Sequence, residues 1–227
     1  MKLRFIGTGA ADWDIAHPSS DINFRRCSSC LINDELLIDP GPCVYEFCDT
    51  FGLPDLTGKV KYIVATHFHG DHISADTAKR LMSEGARWIV TECPVPVKFG
   101  RYTVTAVPAN HNARFSTHLI VSDGERELLY ALDGGWMTWR EWEEIKKHHF
   151  GAMVFDGTMG NVRGNWRMFT HNDFYMVAEM KKYLGEFTDR TIVSHVAKCA
   201  GEDHETQARS LEPYGIELAY DGWVTEI

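Results

Sequence analysis

A run of apolar and β-branched residues at positions 60–66 leads directly into the hexapeptide His67-Phe68-His69-Gly70-Asp71-His72. The run predicts a β-strand, and in an extended segment the side chains of His67 and His69 project to the same side. Gly70 lets the backbone turn a corner. Imidazoles bind zinc, manganese or iron, and a carboxylate adds the negative charge that a second cation requires. The hexapeptide therefore predicts a metal site at the end of this strand rather than an ordinary polar turn.

Further candidate ligands stand in comparable positions. His111, Asp133 and His195 each lie just beyond a run of apolar, strand-forming residues. A rigid strand can direct the side chain that follows it toward a common edge of the fold. Asp156 also ends a predicted strand, so it is an alternative to Asp133 as a carboxylate shared between two ions. We expect these residues to complete the metal site.

The spacing of apolar runs indicates the fold class. Eleven runs predict strands, at 2–6, Ser29–Ile32, Leu36–Ile38, 60–66, 88–90, 102–107, 117–121, 128–132, Ala152–Asp156, Thr191–Ser194 and 217–220. Helices are predicted at 74–84, 139–149 and 173–184. Groups of strands that are each followed by helices indicate one α/β domain over residues 1–227. Two sheets would pack face to face with helices outside them, in four layers.

Composition excludes several other classes. The chain has 23 Lys and Arg against 32 Asp and Glu, a net charge of −9, so it lacks the positive field that attracts nucleic acid. No apolar run approaches the roughly 20 residues of a transmembrane helix, so we expect no membrane partner. The apolar start reaches Gly7 too early for a secretory signal. The six cysteines are scattered, and we expect reduced thiols and a cytoplasmic location.

With these motifs the sequence resembles the metallo-β-lactamase superfamily over nearly its whole length. The matching stretches, in the order typical of that family, are 36–41, 66–72, 110–111, 132–134 and 194–195. The resemblance implies a four-layer αββα sandwich with two metal ions at one edge. It assigns to the first ion His67, His69, His111 and Asp133, and to the second ion Asp71, His72, Asp133 and His195. Asp133 would bridge the ions, and Asp39 would steady the ligands from behind.

Within the superfamily the chain is most similar to phosphodiesterases of the PhnP type, the phosphoribosyl cyclic phosphodiesterases, and to the tRNase Z group. The similar segments are 7–10, 25–29, 170–173 and 220–222. Class B β-lactamases usually carry a cysteine where Asp133 stands here, which argues against antibiotic hydrolysis. PhnP-type enzymes also have an N-terminal cysteine cluster for a structural zinc, whereas residues 9–25 contain no cysteine.

The resemblance and the residues together predict a binuclear hydrolase that acts on a small or cyclic phosphodiester. Two divalent ions, Zn²⁺ or Mn²⁺, would hold a bridging hydroxide at neutral pH for attack on phosphorus. Asp71 would orient this nucleophile or take its proton, in addition to binding metal. His171 begins a predicted helix and is the candidate general acid for the leaving alkoxide, or alternatively a phosphate contact.

Three alternative functions remain open at this point. A ribonuclease of the tRNase Z type is disfavoured by the acidic charge balance. A lactone or thioester hydrolase could use the same nucleophile on a carbonyl carbon. A binding scaffold without catalysis is the non-enzyme alternative, although such a protein would be expected to lose ligands and all seven are present here. The family also makes a homodimer plausible.

Several residues near the motifs have two interpretations each. Arg25 and Arg26 could hold a phosphate, or they could form structural ion pairs. Lys198 and His204 follow His195 closely enough to reach a substrate. The tryptophans clustered in 136–142 either wall the substrate pocket or pack elsewhere.

Overall fold

The computed structural model describes every residue from 1 to 227. Its strands are β1 (Lys2–Gly7), β2 (Ser29–Ile32), β3 (Leu36–Ile38), β4 (Tyr62–Val64), β5 (Arg87–Trp88), β6 (Val97–Phe99), β7 (Tyr102–Pro108), β8 (Thr117–Ser122), β9 (Glu127–Ala131), β10 (Ala152–Asp156), β11 (Thr191–Ser194), β12 (Glu217–Leu218) and β13 (Val224–Glu226). Its α-helices are α1 (Val44–Thr50), α2 (Ala75–Ser83), α3 (Trp139–Ile145), α4 (Phe174–Leu184) and α5 (His204–Leu211). Short 3₁₀ helices connect several of these elements.

The strands form two mixed sheets. The first sheet has the order β13-β1-β2-β3-β4-β5, and the second has the order β12-β11-β10-β9-β8-β7-β6. Strands β3 and β4 are parallel in the first sheet. In the second sheet β9, β10, β11 and β12 are parallel, and two antiparallel pairings make β7 run in the same direction as β9.

Three buried clusters define the layers. The largest contains 21 residues from both sheets, including Phe5, Ile38 and Leu119, and fills the space between them. A cluster of 12 residues packs α1 and α2 on the outer face of the first sheet. A cluster of 19 residues packs α3, α4 and α5 on the outer face of the second. The predicted four-layer αββα sandwich is therefore confirmed.

The helices begin where their sequences supply caps. The Ser74, Thr138 and Asp173 side chains accept a backbone N–H in the first turn of α2, α3 and α4 respectively. Such caps satisfy N–H groups that have no partner within the helix. At Thr138 the capping box is complete, because Glu141 reaches back to the Thr138 N–H at 2.6 Å. None of the five helices is both long and apolar enough to cross a membrane.

Some predicted boundaries were wrong. The strand predicted at 60–66 is shortened to β4, because the Thr66 N–H donates to the Asp39 side chain at 2.7 Å instead of to another strand. Helix α3 ends at Ile145 rather than at 149, and His148 turns away to contact Glu127 Oε2 at 3.0 Å.

Four elements were not predicted at all: α1, α5, β6 and β13. Helix α1 begins without a side-chain cap, so its sequence carries no start signal. Strand β13 has a half-exposed pattern and exists because it pairs with β1.

The topology aligns the ends of the parallel strands at one edge. Strands β3, β4, β7, β9, β10 and β11 all finish there; β10 ends in an aspartate, and each of the others is followed within three residues by a histidine or an aspartate. Side chains from both sheets can therefore meet at this edge.

Candidate metal centre

The predicted ligands converge on Asp133, which is buried in the turn after β9. Its carboxylate Oδ2 lies 3.0 Å from His67 Nε2 and 3.4 Å from His111 Nε2. His69 Nδ1 completes this first group at 3.2 Å from His111 Nε2. The four ligand atoms lie within 4.8 Å of one another, so a single cation could contact all of them.

The second group shares the same carboxylate. Asp133 Oδ1 lies 2.8 Å from His195 Nε2, and Asp133 Oδ2 lies 3.3 Å from His72 Nε2. Asp71 Oδ2 is 3.6 Å from both of these imidazole nitrogens. Because its Oδ2 lies against members of both groups and its Oδ1 lies against His195, Asp133 has the geometry of a bridging ligand.

Hydrogen bonds behind the rings orient His67 and His72. The Nδ1 atom of His72 lies 2.8 Å from Asp39 Oδ2, so it donates to this carboxylate. The Thr66 hydroxyl donates to the same Asp39 oxygen at 2.9 Å and accepts from His67 Nδ1 at 3.0 Å. Since Nδ1 carries the hydrogen in both rings, the Nε2 lone pairs point toward Asp133.

The same arrangement holds for His111 and His195. The His111 Nδ1 atom donates to the Thr170 carbonyl at 3.0 Å, and His195 Nδ1 lies 2.8 Å from Thr158 Oγ1. The Nε2 lone pairs of these rings therefore also face the carboxylate. The sequence analysis did not identify the supporting roles of Thr66 and Thr158. Thr66 directly precedes His67 and Thr158 lies two residues after Asp156, but a single threonine at such a position forms no motif.

Convergent lone pairs around a carboxylate repel one another unless a proton or a cation lies between them. His67 Nε2 and Asp133 Oδ1 are buried and make no well-oriented hydrogen bond, although each lies within 3.0 Å of another ligand atom, and His72 Nε2 faces His195 Nε2 at only 3.2 Å. Buried polar atoms are normally satisfied. The donor set of imidazoles and carboxylates is the one that zinc and manganese bind, so the residues present fit two divalent ions.

The pKa values of Asp133 and of the surrounding histidines show how strongly these buried groups interact. Burial works to raise the pKa of Asp133, but the adjacent His195 and His72 overcome it and hold this pKa well below its ordinary value. Burial works to lower the pKa of His195, but Asp133 raises it to about 10. In the metal-free protein a proton is thus held where a cation would reside. Burial lowers the pKa of His111 to about 4, so this ring is neutral and able to bind metal.

An unusual backbone conformation helps to position three side chains of the site. Asp39, Asp133 and His195 have φ values of 58°, 54° and 60°. Non-glycine residues seldom adopt this left-handed region, and each costs on the order of 1 kcal/mol. Three of the six non-glycine residues with positive φ lie in this site, where the turns after β3, β9 and β11 direct their side chains inward.

Asp156 lies behind the centre rather than between the two groups. Its carboxylate accepts His171 Nδ1 at 2.7 Å and the backbone N–H of Thr158 at 2.7 Å. It also accepts the N–H groups of Gly134 and Asn172, both at 3.3 Å. Asp156 could join His171, His195 and Asp133 around a cation, but its lone pairs are already in use. The geometry therefore favours Asp133 as the shared carboxylate.

His171 lies at the edge of the centre, just before α4. Its ring stacks on that of His195, with centroids 5.8 Å apart. Burial works to lower the pKa of His171, but the Asp156 carboxylate raises it above the ordinary value. The Nδ1 atom is bound to Asp156, so Nε2 remains as the group that can exchange a proton with a ligand.

A cavity of about 230 Å³ opens beside these residues. Its walls include members of both ligand groups, together with His171, Asp12, Asn112 and one arginine, Arg167; we call it the metal cavity. The volume suits a small molecule. Arg167 was not recognised in the sequence, because an isolated arginine in a loop carries no motif.

Several candidate substrate contacts lie elsewhere. Arg26 is buried and binds both oxygens of Glu46 at 2.6 and 2.8 Å and Asp221 at 3.2 Å, which makes it a structural ion pair. Arg25 is buried against the Thr8 hydroxyl and the Ala219 carbonyl, and its Nη2 lies 3.2 Å from His204 Nδ1. The sequence alternatives that give Arg25, Arg26 or His204 a substrate contact therefore find no support in the geometry.

Lys198 and the tryptophans also lie outside the metal cavity. Lys198 is exposed, and its backbone N–H donates to Asp12 at 2.7 Å. Trp136, Trp139 and Trp142 line a separate groove of about 720 Å³ between α3 and α4. They do not line the cavity that adjoins the metal-binding residues.

No protein-family model matches this chain, and no curated protein matches its sequence. Solved structures do match it along the whole chain. The metallo-β-lactamase fold protein YhfI from Bacillus subtilis superposes with a TM-score of 0.75 at 15% identity, covering 100% of this chain and 99% of that chain.

Two further structures match with similar coverage. A diphosphatase from the PhnP family has a TM-score of 0.74 at 19% identity, covering 100% of this chain and 97% of that chain. Human tRNase Z, short form, has a TM-score of 0.68 at 18% identity, covering 100% of this chain and 99% of that chain. With the two sheets and the His/Asp edge described above, these matches show that the chain has the metallo-β-lactamase fold.

Proposed function

We propose that this protein is a metal-dependent hydrolase that uses two divalent ions to cleave a small or cyclic phosphodiester. The observation that carries the proposal is the pair of ligand groups that share Asp133. Beside them, His171 is held by Asp156 at 2.7 Å. A scaffold that only binds would not need an oriented acid next to a pair of metal sites.

The chemistry divides between the ions and the protein. Zn²⁺ or Mn²⁺ ions held here would supply Lewis-acid stabilisation of phosphoryl oxygens and would acidify a water molecule. Asp71 is partly exposed to the cavity and accepts the proton of the attacking water. As the new P–O bond forms, the bond to the leaving oxygen breaks. His171 donates its proton to that oxygen, so a phosphomonoester forms; the resulting hydroxyl departs as an alcohol from an acyclic diester and stays on the product when the diester is cyclic.

The choice of a phosphodiester over a carbonyl substrate is supported by the neighbours. One is a diphosphatase of the PhnP family and another is a tRNase Z, and both names denote cleavage of phosphate esters or anhydrides. The cavity of about 230 Å³ and the net charge of −9 favour a small substrate over RNA.

The first test is metal analysis of the purified protein, paired with turnover of bis(p-nitrophenyl) phosphate with zinc or manganese added. We expect about two ions per chain. Asp133→Ala should lower metal content and reduce turnover by more than about 100-fold. Asp189→Ala is the matched control, because this aspartate is 54% exposed and pairs with His149.

The outcomes separate the alternatives. Two ions without phosphodiester turnover would move the assignment to lactones or thioesters. Absence of bound metal even after reconstitution would refute the mechanism and leave the scaffold interpretation.

A second experiment tests the proton donor. His171→Ala should retain metal and lose about 100-fold or more of turnover on a cyclic nucleotide, whose alkoxide leaving group needs a proton. Loss on bis(p-nitrophenyl) phosphate should be smaller, because p-nitrophenolate leaves without one. His149→Ala, at an exposed histidine outside the site, is the control. Equal turnover of wild type and His171→Ala on the cyclic substrate would remove His171 from the mechanism.

A further inference from the structure

Arg167 is the only lysine or arginine among the residues that line the metal cavity. The other titratable side chains there are histidines and the aspartates Asp12, Asp71 and Asp133. A single guanidinium among these side chains gives the cavity one permanent positive charge, which favours anionic ligands.

No carboxylate neutralises this guanidinium. Its Nη1 atom contacts only sulfur, namely Cys199 Sγ at 3.1 Å and Met159 Sδ at 3.9 Å, and sulfur is a weak acceptor. Asp12, one of the three aspartates on the cavity wall, accepts the backbone N–H groups of Lys198 and Cys199 at 2.7 and 2.9 Å and forms no ion pair with Arg167. Most N–H donors of Arg167 therefore have no protein acceptor.

The buried arginines of the same chain provide a contrast. Arg26 directs its guanidinium at Glu46, Asp221 and the Ser19 carbonyl. Its donors are used inside the protein. The donors of Arg167 remain available to a ligand in the cavity.

The backbone places Arg167 in register with the candidate acid. Arg167 lies in the 3₁₀ helix Trp166–Phe169, which Asn165 caps by accepting the Arg167 N–H at 3.0 Å. The Arg167 carbonyl accepts the His171 N–H at 2.7 Å and the Thr170 N–H at 2.8 Å. One tight turn thus holds both side chains at the same cavity.

We propose that Arg167 binds anionic phosphate oxygens of the substrate and makes the site selective for phosphate esters over neutral esters. This inference rests on the proposed function and deepens it. A planar guanidinium offers paired donors that match phosphate geometry. Lactones and thioesters offer no such anion, so they would leave Arg167 without a strong acceptor.

The role of Arg167 can be tested by a binding measurement that does not depend on catalysis. Calorimetry gives the affinity of the zinc-loaded protein for inorganic phosphate and for pyrophosphate. We expect Arg167→Gln to weaken phosphate binding by about 10- to 100-fold, as for a charge-assisted hydrogen bond. Arg167→Lys should recover part of the affinity, because it keeps the charge but not the fork. Arg163→Gln is the matched control, since Arg163 is exposed, stacks on Tyr175 and lies outside the cavity.

Comparison of phosphate with pyrophosphate shows which phosphate group of the substrate Arg167 binds. Equal weakening of phosphate and pyrophosphate places Arg167 on the reacting phosphate, whereas weakening of pyrophosphate alone places it on a second anionic group. Unchanged affinity for both, or loss of bound zinc in Arg167→Gln and Arg167→Lys alike, would overturn the inference.

A kinetic arm uses kcat/KM for bis(p-nitrophenyl) phosphate and for the neutral ester p-nitrophenyl butyrate. Only the former should fall in Arg167→Gln, and an equal fall for both would contradict the inference. If wild type hydrolyses neither, the proposed function fails while the phosphate-binding result still decides the role of Arg167.

Discussion

Asp39→Asn is the perturbation whose consequence can be worked out most fully from the structure. The Asp39 carboxylate is completely buried. It accepts the Thr66 N–H at 2.7 Å and the His72 Nδ1–H at 2.8 Å, on different oxygens. An asparagine has the same shape but only one acceptor oxygen. Whichever way the amide is turned, its NH₂ group faces one of these two donors.

The loss of metal affinity and of stability in Asp39→Asn follows from this unfavourable contact between two donors. If the amide NH₂ faces His72, the ring loses the hydrogen bond that keeps its Nε2 lone pair directed at Asp133. Loss of such a supporting partner typically weakens metal binding by about 10- to 100-fold, which corresponds to about 1.4 to 2.8 kcal/mol. The loss should fall on the ion of the second group, because His72 belongs to that group. An unsatisfied buried donor should also destabilise the fold by about 1 to 3 kcal/mol.

Competition with a chromophoric zinc chelator measures the two stepwise affinities, and urea unfolding of the metal-free protein measures the stability. Asp76→Asn is the control, since Asp76 is exposed on α2 just beyond the metal loop. We expect one zinc affinity to fall and the other to change little. Two unchanged affinities in a folded Asp39→Asn protein would refute the argument that Asp39 orients a ligand.

Three other predictions concern the support of His195, the buried arginine Arg26 and the contribution of bound metal to stability. Thr158→Val removes the hydroxyl behind His195 and should weaken one zinc site by about tenfold, whereas an unchanged chelator titration would contradict this. Arg26→Met leaves Asp221 and Glu46 without their partner and should lower the free energy of unfolding by about 3 kcal/mol. Its kcat/KM per folded molecule should stay at the wild-type value, and a specific loss would return Arg26 to the substrate site. Removal of metal with a chelator should lower the unfolding temperature, since a ligand at a thousand times its Kd contributes about 4 kcal/mol.

Much of the fold could be predicted because its signals are local. Short, nearly continuous apolar runs such as Ala152–Asp156 and Thr191–Ser194 coincide with strands β10 and β11, which are buried along their whole length. Caps such as Ser74 and Asp173 mark where helices begin. Two of the missed elements lack a local signal, because α1 has no side-chain cap and β13 depends on its pairing with β1. Helix α5 was missed although the Asp203 side chain caps it.

The candidate ligands could likewise be named from the sequence, because each follows a strand-forming run. Which of Asp133 and Asp156 lies between the ligand groups could not be decided in that way. Both end parallel strands before glycine, and only the turn that gives Asp133 a φ of 54° directs its carboxylate into the centre. The oxygens of Asp156 instead accept hydrogen bonds from His171 and from backbone N–H groups.

By itself, the sequence determined the class of fold and the chemistry of the edge, since strand periodicity and ligand spacing are properties of short segments. The tertiary structure decided which charged residues are free to act. Arg26 and Arg167 are the same residue type, but Arg26 is buried against two carboxylates, while Arg167 on the cavity wall has no carboxylate partner and contacts two sulfur atoms and the Trp166 ring. The partners of a side chain come from segments distant along the chain, and only folding brings those segments together.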